Sequence, residues 1–275
     1  MSQITDFYSS WLGGNSFGTI SSPPLIPLQR IFTPLDISAC YIWFNCDDLT
    51  TIDKTDSGVV LAMDNLGLAG AAAFKATTGD VTVVQDVNNL NCLNMPAGAF
   101  LSITTTLPYT SRTTFIVYKI TSDIANDPYP YANFFVGAFA YEGLGIAAWM
   151  GNGFYRWQMA VGGVDYALDG YTDQYTVYNV AQYASFRKDY ATPANNFIKI
   201  NNGSNIYVDG TPAEFFTGSS EYVMNPSAGN TSMVLCEMIE YGRSLTDAEV
   251  TQVHNYIQAK WFPPAPPPAS APVPP

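Results

Sequence analysis

The chain has 275 residues, of which 47% are hydrophobic, 14% aromatic and only 12% charged, with a formal net charge of −12. The apolar share is ample for one large core, and the sparse charge fits a surface buried against partners or an exported protein with a neutral exterior. Without a cluster of Lys or Arg, nucleic-acid binding and docking on anionic membranes are disfavoured, and no apolar run reaches the roughly 20 residues that span a bilayer.

Residues 1–36 read as an extended N-terminal arm. The start, Met1 to Asp6, lacks the basic and apolar stretches of a signal peptide, so no secretory leader is expected. Gly13-Gly14, Pro23-Pro24, Pro27 and Pro34 argue against sheet, because proline fixes φ and removes a ladder donor. The arm still carries Trp11, Phe17, Ile31 and Phe32, more large apolar groups than a flexible linker uses, so it is expected to pack on its own domain or a neighbour. Trp11 and Phe17 are the arm's candidate interface residues.

The body, 37–262, consists of short apolar runs between turn residues. Predicted strands are 40–44, 59–63, 81–84, 99–103, 113–120, 134–139, 145–150 and 155–161. The run 113–120 is the clearest, being rich in β-branched and aromatic residues. Strands 197–200 and 206–209 flank Asn201-Asn-Gly-Ser-Asn205, a hairpin signal, and 234–241 is the last strand. One helix follows. Thr246 and Glu249 have capping-box spacing, with Leu245 and Val250 at the staple positions. Val250, Val253, Ile257 and Trp261 form one apolar stripe, and Pro263 ends the helix. The proline-rich tail, 263–275, favours polyproline II. Many strands and one terminal helix predict an all-β, two-sheet antiparallel sandwich of jelly-roll type with extended arms at both ends.

Little in this body suggests bond-breaking chemistry. The six glutamates are Glu142, Glu214, Glu221, Glu237, Glu240 and Glu249. None sits in a Glu-x-Asp-x-x-Glu arrangement that would align paired carboxylates on one sheet face. Glu237 and Glu240 are three apart on a strand, hence on opposite faces, and read as an edge contact and a solvent charge. The one histidine, His254, reads as a partly exposed packing residue. Cys40, Cys46, Cys92 and Cys236 have no zinc-ligand spacing and read as buried free thiols. Glycine pairs such as Gly162-Gly163 precede no helix and make no phosphate cradle. No cofactor is expected. Asp47-Asp48, or Asp165, Asp169 and Asp173, are the only candidate calcium ligands.

The aromatic segment 166–190 contains Tyr171, Tyr175, Tyr178, Tyr183 and Phe186 beside Arg187 and Lys188, and reads as an interface in preference to a sugar site. Trp149, Tyr155 and Trp157 either line a sugar site or fill the core. The candidate interface or ligand residues are therefore Trp157, Tyr171, Tyr175, Tyr178, Trp11 and Phe17.

Tyr41-Ile-Trp-Phe44 followed by Asp47-Asp48, the 113–119 strand, Ile206-Tyr-Val-Asp-Gly210, and the 236–262 strand and helix together resemble the concanavalin A-like lectin/glucanase superfamily. The likeness is to the laminin-G-like jelly rolls of large DNA virus capsid and phage structural proteins. It covers about 37–262, and only the last 27 residues of that span are specific. The resemblance implies a non-enzymatic virion protein, a minor capsid or capsid-associated component whose partners are other capsid or virion proteins. The alternative is a carbohydrate-binding or adhesion module with glycans as ligands.

Overall fold

The computed structural model describes residues 32–69, 73–97, 99–106, 111–121, 134–138, 142–148, 155–159, 178–189, 191–207, 219–224 and 232–264. Trp11, Phe17, Tyr171, Tyr175, Asp165, Asp169, Asp173 and the tail beyond Pro264 lie outside them, as does the arm before Phe32.

Residues from Thr33 onward belong to one compact unit built on two eight-stranded antiparallel sheets. Sheet A contains β1 (Cys40–Asn45), β5 (Thr82–Gln85), β6 (Asn91–Met95), β8 (Arg112–Ile120), β12 (Gln182–Lys188), β13 (Phe197–Ile200), β14 (Ile206–Tyr207) and β16 (Met233–Tyr241). Sheet B contains β2 (Ile52–Lys54), β3 (Val60–Asp64), β4 (Ala73–Thr78), β7 (Phe100–Thr106), β9 (Phe134–Ala138), β10 (Glu142–Ala148), β11 (Tyr155–Met159) and β15 (Ser219–Met224). The chain passes repeatedly from one sheet to the other, which makes a β-sandwich. The expected all-β sandwich with one C-terminal helix is what the chain forms.

The core lies between the sheets. Ile42, Phe44, Ile116, Tyr118, Phe186, Leu235 and Met238 of sheet A meet Val60, Met63 and Leu101 of sheet B. Helix α1 (Asp247–Trp261) covers the other side of sheet A. Its capping box forms as the sequence predicts: the Glu249 N–H donates to Thr246 Oγ1 at 3.3 Å, and Thr246 N–H to Glu249 Oε2 at 2.9 Å. Val250, Val253, Ile257 and Trp261 are all buried, each such burial stabilising by about 1.5–3 kcal/mol.

This double covering explains two sequence patterns. Every residue of β16 is buried, and β8 is buried at all positions but Lys119, so neither shows the apolar–polar alternation of a half-exposed strand. It also explains what the sequence hides. Strand β12, Gln182-Tyr-Ala-Ser-Phe-Arg-Lys188, is buried along its whole length despite two cations. Tyr183, Phe186, Arg187 and Lys188 are therefore interior strand residues and not the interface that the aromatic segment suggested.

The hairpin β13–β14 pairs Ile198 with Ile206 across the predicted turn, and Asn201 takes the left-handed conformation there (φ 50°). Gly67 is fixed by proximity: a Cβ on it would lie 2.4 Å from the Tyr41 carbonyl oxygen, because the loop after β3 donates Leu66, Leu68 and Ala69 N–H groups to β1.

Candidate functional site

The most elaborate polar arrangement lies under α1. Glu237 of β16 is fully buried and its carboxylate takes four donors. Oε1 accepts from Trp43 Nε1 at 2.6 Å and from the Tyr256 hydroxyl at 2.7 Å. Oε2 accepts from Trp261 Nε1 at 2.5 Å and from Lys260 Nζ at 3.2 Å. Lys260 Nζ also donates to Asn45 Oδ1 at 2.6 Å. One carboxylate thus ties β16 to β1 and to three residues of the helix. Charge-assisted bonds are what make such burial tolerable. Burial first, then the Glu237 charge, pushes the Tyr256 phenol well above its ordinary range, so it stays a donor.

Glu240 is also fully buried, and accepts from Thr114 Oγ1 at 2.8 Å, with Arg112 Nη1 at 4.0 Å. The edge contact and solvent charge expected of this pair are therefore wrong. Alternation does put them on opposite faces, but helix and second sheet enclose both faces. Glu237 looks toward α1 and Glu240 shares a ladder row with Thr114 and Ile42, so the two cannot flank one substrate bond.

His254 is likewise buried rather than partly exposed. Its Nε2 lies 3.0 Å from Ser185 Oγ, and its ring packs edge-on to Phe115 and tilted against Tyr183. Burial, then the nearby Lys199 charge, lowers its pKa to about 4, so the ring is neutral. A serine beside a neutral imidazole has the composition of a nucleophile and base. Here both are sealed between sheet and helix, so the pair packs the interior.

At one end of sheet A the core-facing row becomes polar. Lys188 is paired with Arg112 across β12 and β8, next to Glu240 of β16, and all three are buried. Asn196, just before β13, is buried too; its Oδ1 accepts from Asp189 N–H at 2.7 Å while its Nδ2 has no hydrogen-bond partner among the described residues. Sequence reading missed this row, since nothing marks four separate segments as neighbours.

Among the candidate calcium ligands that are described, Asp47 Oδ1 accepts from Asn91 N–H at 3.1 Å and Asp48 Oδ1 from Thr50 N–H at 3.1 Å. No group of three or more His, Cys, Asp or Glu among the described residues is placed to hold a metal ion.

Of the six candidate interface or ligand residues, Tyr178 and Trp157 fall in described segments. Tyr178 precedes β12 and is 47% exposed. Trp157 sits in the edge strand β11 opposite Ile146. The structure does not bring these two into one described cluster. Because α1 occupies the outer side of sheet A, the broad face left uncovered by that helix is the outer side of sheet B. A ladder row there runs Lys75, Ser102, Val223, Gly137, Gly143, one residue off the row of core Leu101. Leu61 of β3 is 47% exposed.

No protein-family profile matches this sequence, and no curated protein matches it. Solved structures with a similar fold do exist. The binding domain of Paraclostridial Mosquitocidal Protein 1 is similar at 13% identity and a TM-score of 0.55, over 82% of this chain and 53% of that one. Domain 4 of AbnA, an extracellular arabinanase from Geobacillus stearothermophilus, in complex with arabinotriose, is similar at 13% identity and a TM-score of 0.55, over 78% of this chain and 98% of that one. The binding domain of botulinum neurotoxin DC, in complex with rat synaptotagmin II, is similar at 12% identity and a TM-score of 0.50, over 80% of this chain and 52% of that one. This chain spans about half the length of the two toxin domains. At these identities the likeness is one of fold, and it agrees with the lectin-like sandwich that the sequence resembles.

Proposed function

We propose that this chain is a non-catalytic binding module that recognises a glycan. The observation that carries this reading is the commitment of Glu237, Glu240, Ser185 and His254 to interior contacts, together with the covering of sheet A by α1. The carboxylates of Glu237 and Glu240 on β16 are used to hold the fold. Support for a sugar as ligand comes from the arabinanase domain, which this fold matches over nearly all of that domain's length. Trp157, Tyr171, Tyr175 and Tyr178 are residues of the type that stacks on pyranose or furanose rings.

The test is a glycan array followed by calorimetry with arabinotriose and with any glycan the array retains. Tyr178→Ala and Tyr175→Ala are expected to weaken binding at least tenfold while leaving the melting temperature within a few degrees. Retention of no glycan, or affinities unchanged in both variants, would overturn the reading. A role in a virion, with the arms strapped along neighbouring subunits, rests on the family resemblance alone, and mass spectrometry of purified particles tests it.

A further inference from the structure

Strands β6 and β1 lie end to end along one edge of β16: β6 pairs with Met233–Leu235 and β1 with Glu237–Tyr241. Cys236 occupies the junction, where the register of β16 against β8 shifts. Leu93 opposes Leu235, which brings Cys92 beside Cys236, and their Sγ atoms are 3.2 Å apart. Cys46, just past the end of β1, donates its N–H to the Cys236 carbonyl at 3.1 Å. Three of the four thiols therefore meet at one seam, while Cys40 stands at the far end of β1 with its Sγ against the Ile42 carbonyl.

We propose that Cys92 and Cys236 form an oxidation site, closing to a cross-strand disulfide when the protein meets a hydroperoxide. The two cysteines directly follow the last ladder pair, Leu235 with Leu93, so their strands are already side by side there. A bond of about 2.05 Å requires the sulfurs to approach by roughly 1 Å, a small side-chain rotation. Both sulfurs are buried, so the peroxide enters on local opening of the β5–β6 edge. Cys92 is the thiol that attacks: its contact with Cys236 favours its ionised form, whereas burial holds Cys236 protonated. The Cys92 thiolate displaces hydroxide from hydrogen peroxide, breaking the O–O bond and forming a sulfenic acid. Cys236 sulfur then displaces hydroxide from the Cys92 sulfur, and its proton, with the one Cys92 released on ionising, converts the two hydroxides to water. Two thiols are oxidised and one peroxide is reduced. The bridge joins residues 144 positions apart and staples the junction of β1, β6 and β16.

The experiment treats the full chain with hydrogen peroxide, unfolds it in the presence of an alkylating reagent, and reads intact mass and peptide map. Alkylatable cysteines are expected to fall from four to two, with a peptide linking Cys92 to Cys236 and a higher melting temperature. Cys40→Ala keeps the link; Cys92→Ala and Cys236→Ala abolish it. Should either variant fail to fold, the wild-type peptide map decides alone. Four alkylatable cysteines after treatment, a sulfinate on Cys92 with Cys236 still free, or a bridge through Cys40 or Cys46 would overturn the proposal.

Discussion

Replacing Glu237 with Gln tests whether one buried carboxylate secures the helix to the sheet. The side chain keeps its shape but loses its charge and one acceptor, since an amide nitrogen only donates. If that nitrogen faces Trp261 and Lys260, the Trp261 indole N–H is stranded, while Lys260 retains Asn45. If it faces Trp43 and Tyr256, the tyrosine hydroxyl can turn and accept, but the Trp43 indole cannot. Either orientation leaves one buried donor unsatisfied, costing about 1–3 kcal/mol. The surviving bonds fall from charge-assisted to neutral strength, and Lys260 loses its buried counter-ion. Together these give a destabilisation of roughly 3–5 kcal/mol, a large part of a typical domain's 5–15. Urea unfolding followed by tryptophan fluorescence and far-UV circular dichroism measures it. The orientation that spares Tyr256 predicts that Trp43→Phe added to Glu237→Gln costs about 1 kcal/mol less than the sum of the single changes. A loss below about 1 kcal/mol in Glu237→Gln, on both probes, would refute the reasoning.

Burial of neutral His254 makes stability depend on pH with a definite sign. Its folded pKa of about 4 lies below the ordinary 6.5, so its contribution is complete above pH 6.5 and is lost as pH falls through about 4. The total is roughly 3 kcal/mol, read as the difference between wild-type and His254→Gln stability curves from pH 7 to 4; parallel curves would refute it. Removing the helix cap with Thr246→Ala should cost about 1 kcal/mol in urea unfolding, since the Glu249 N–H loses its acceptor. Gly67→Ala should cost about 3 kcal/mol in the same assay, because the new Cβ meets backbone atoms of Tyr41 and Ile42 that cannot turn aside. The Arg243–Glu249 ion pair, whose hydrogen bonds hold Glu249 down to about 2, should resist acid until well below pH 4. A nuclear magnetic resonance titration of the Glu249 carboxyl checks this.

Local rules govern what was legible in the chain. The Thr246–Glu249 box and the Val250, Val253, Ile257 and Trp261 stripe lie within one helix, where spacing alone decides which groups meet. The same holds for the 201–205 turn and for β8, whose branched and aromatic residues suit a pleated strand. Strands β2, β4, β6, β12 and β15 went unrecognised. Their residues do not alternate apolar with polar, and β12 buries Gln182, Ser185, Arg187 and Lys188. A polar residue reads as exposed until a partner is known, and the partners of these come from distant segments. Arg187 gives its guanidinium to the Asn195 and Leu245 carbonyls and to Asp247, and stacks on Phe197.

The chain's own order of residues settled that strands dominate, where the single helix begins and ends, and that no paired-acid motif runs along any strand. Tertiary structure alone settled which charges are interior. Glu237 has no aromatic donor beside it in sequence, yet Trp43 arrives from 194 residues away and Trp261 from 24. The same is true of the three thiols at the β1–β6 junction. The energy of a buried charge or thiol depends on what surrounds it in space, and a sheet brings together segments whose separation along the chain carries no trace of that meeting.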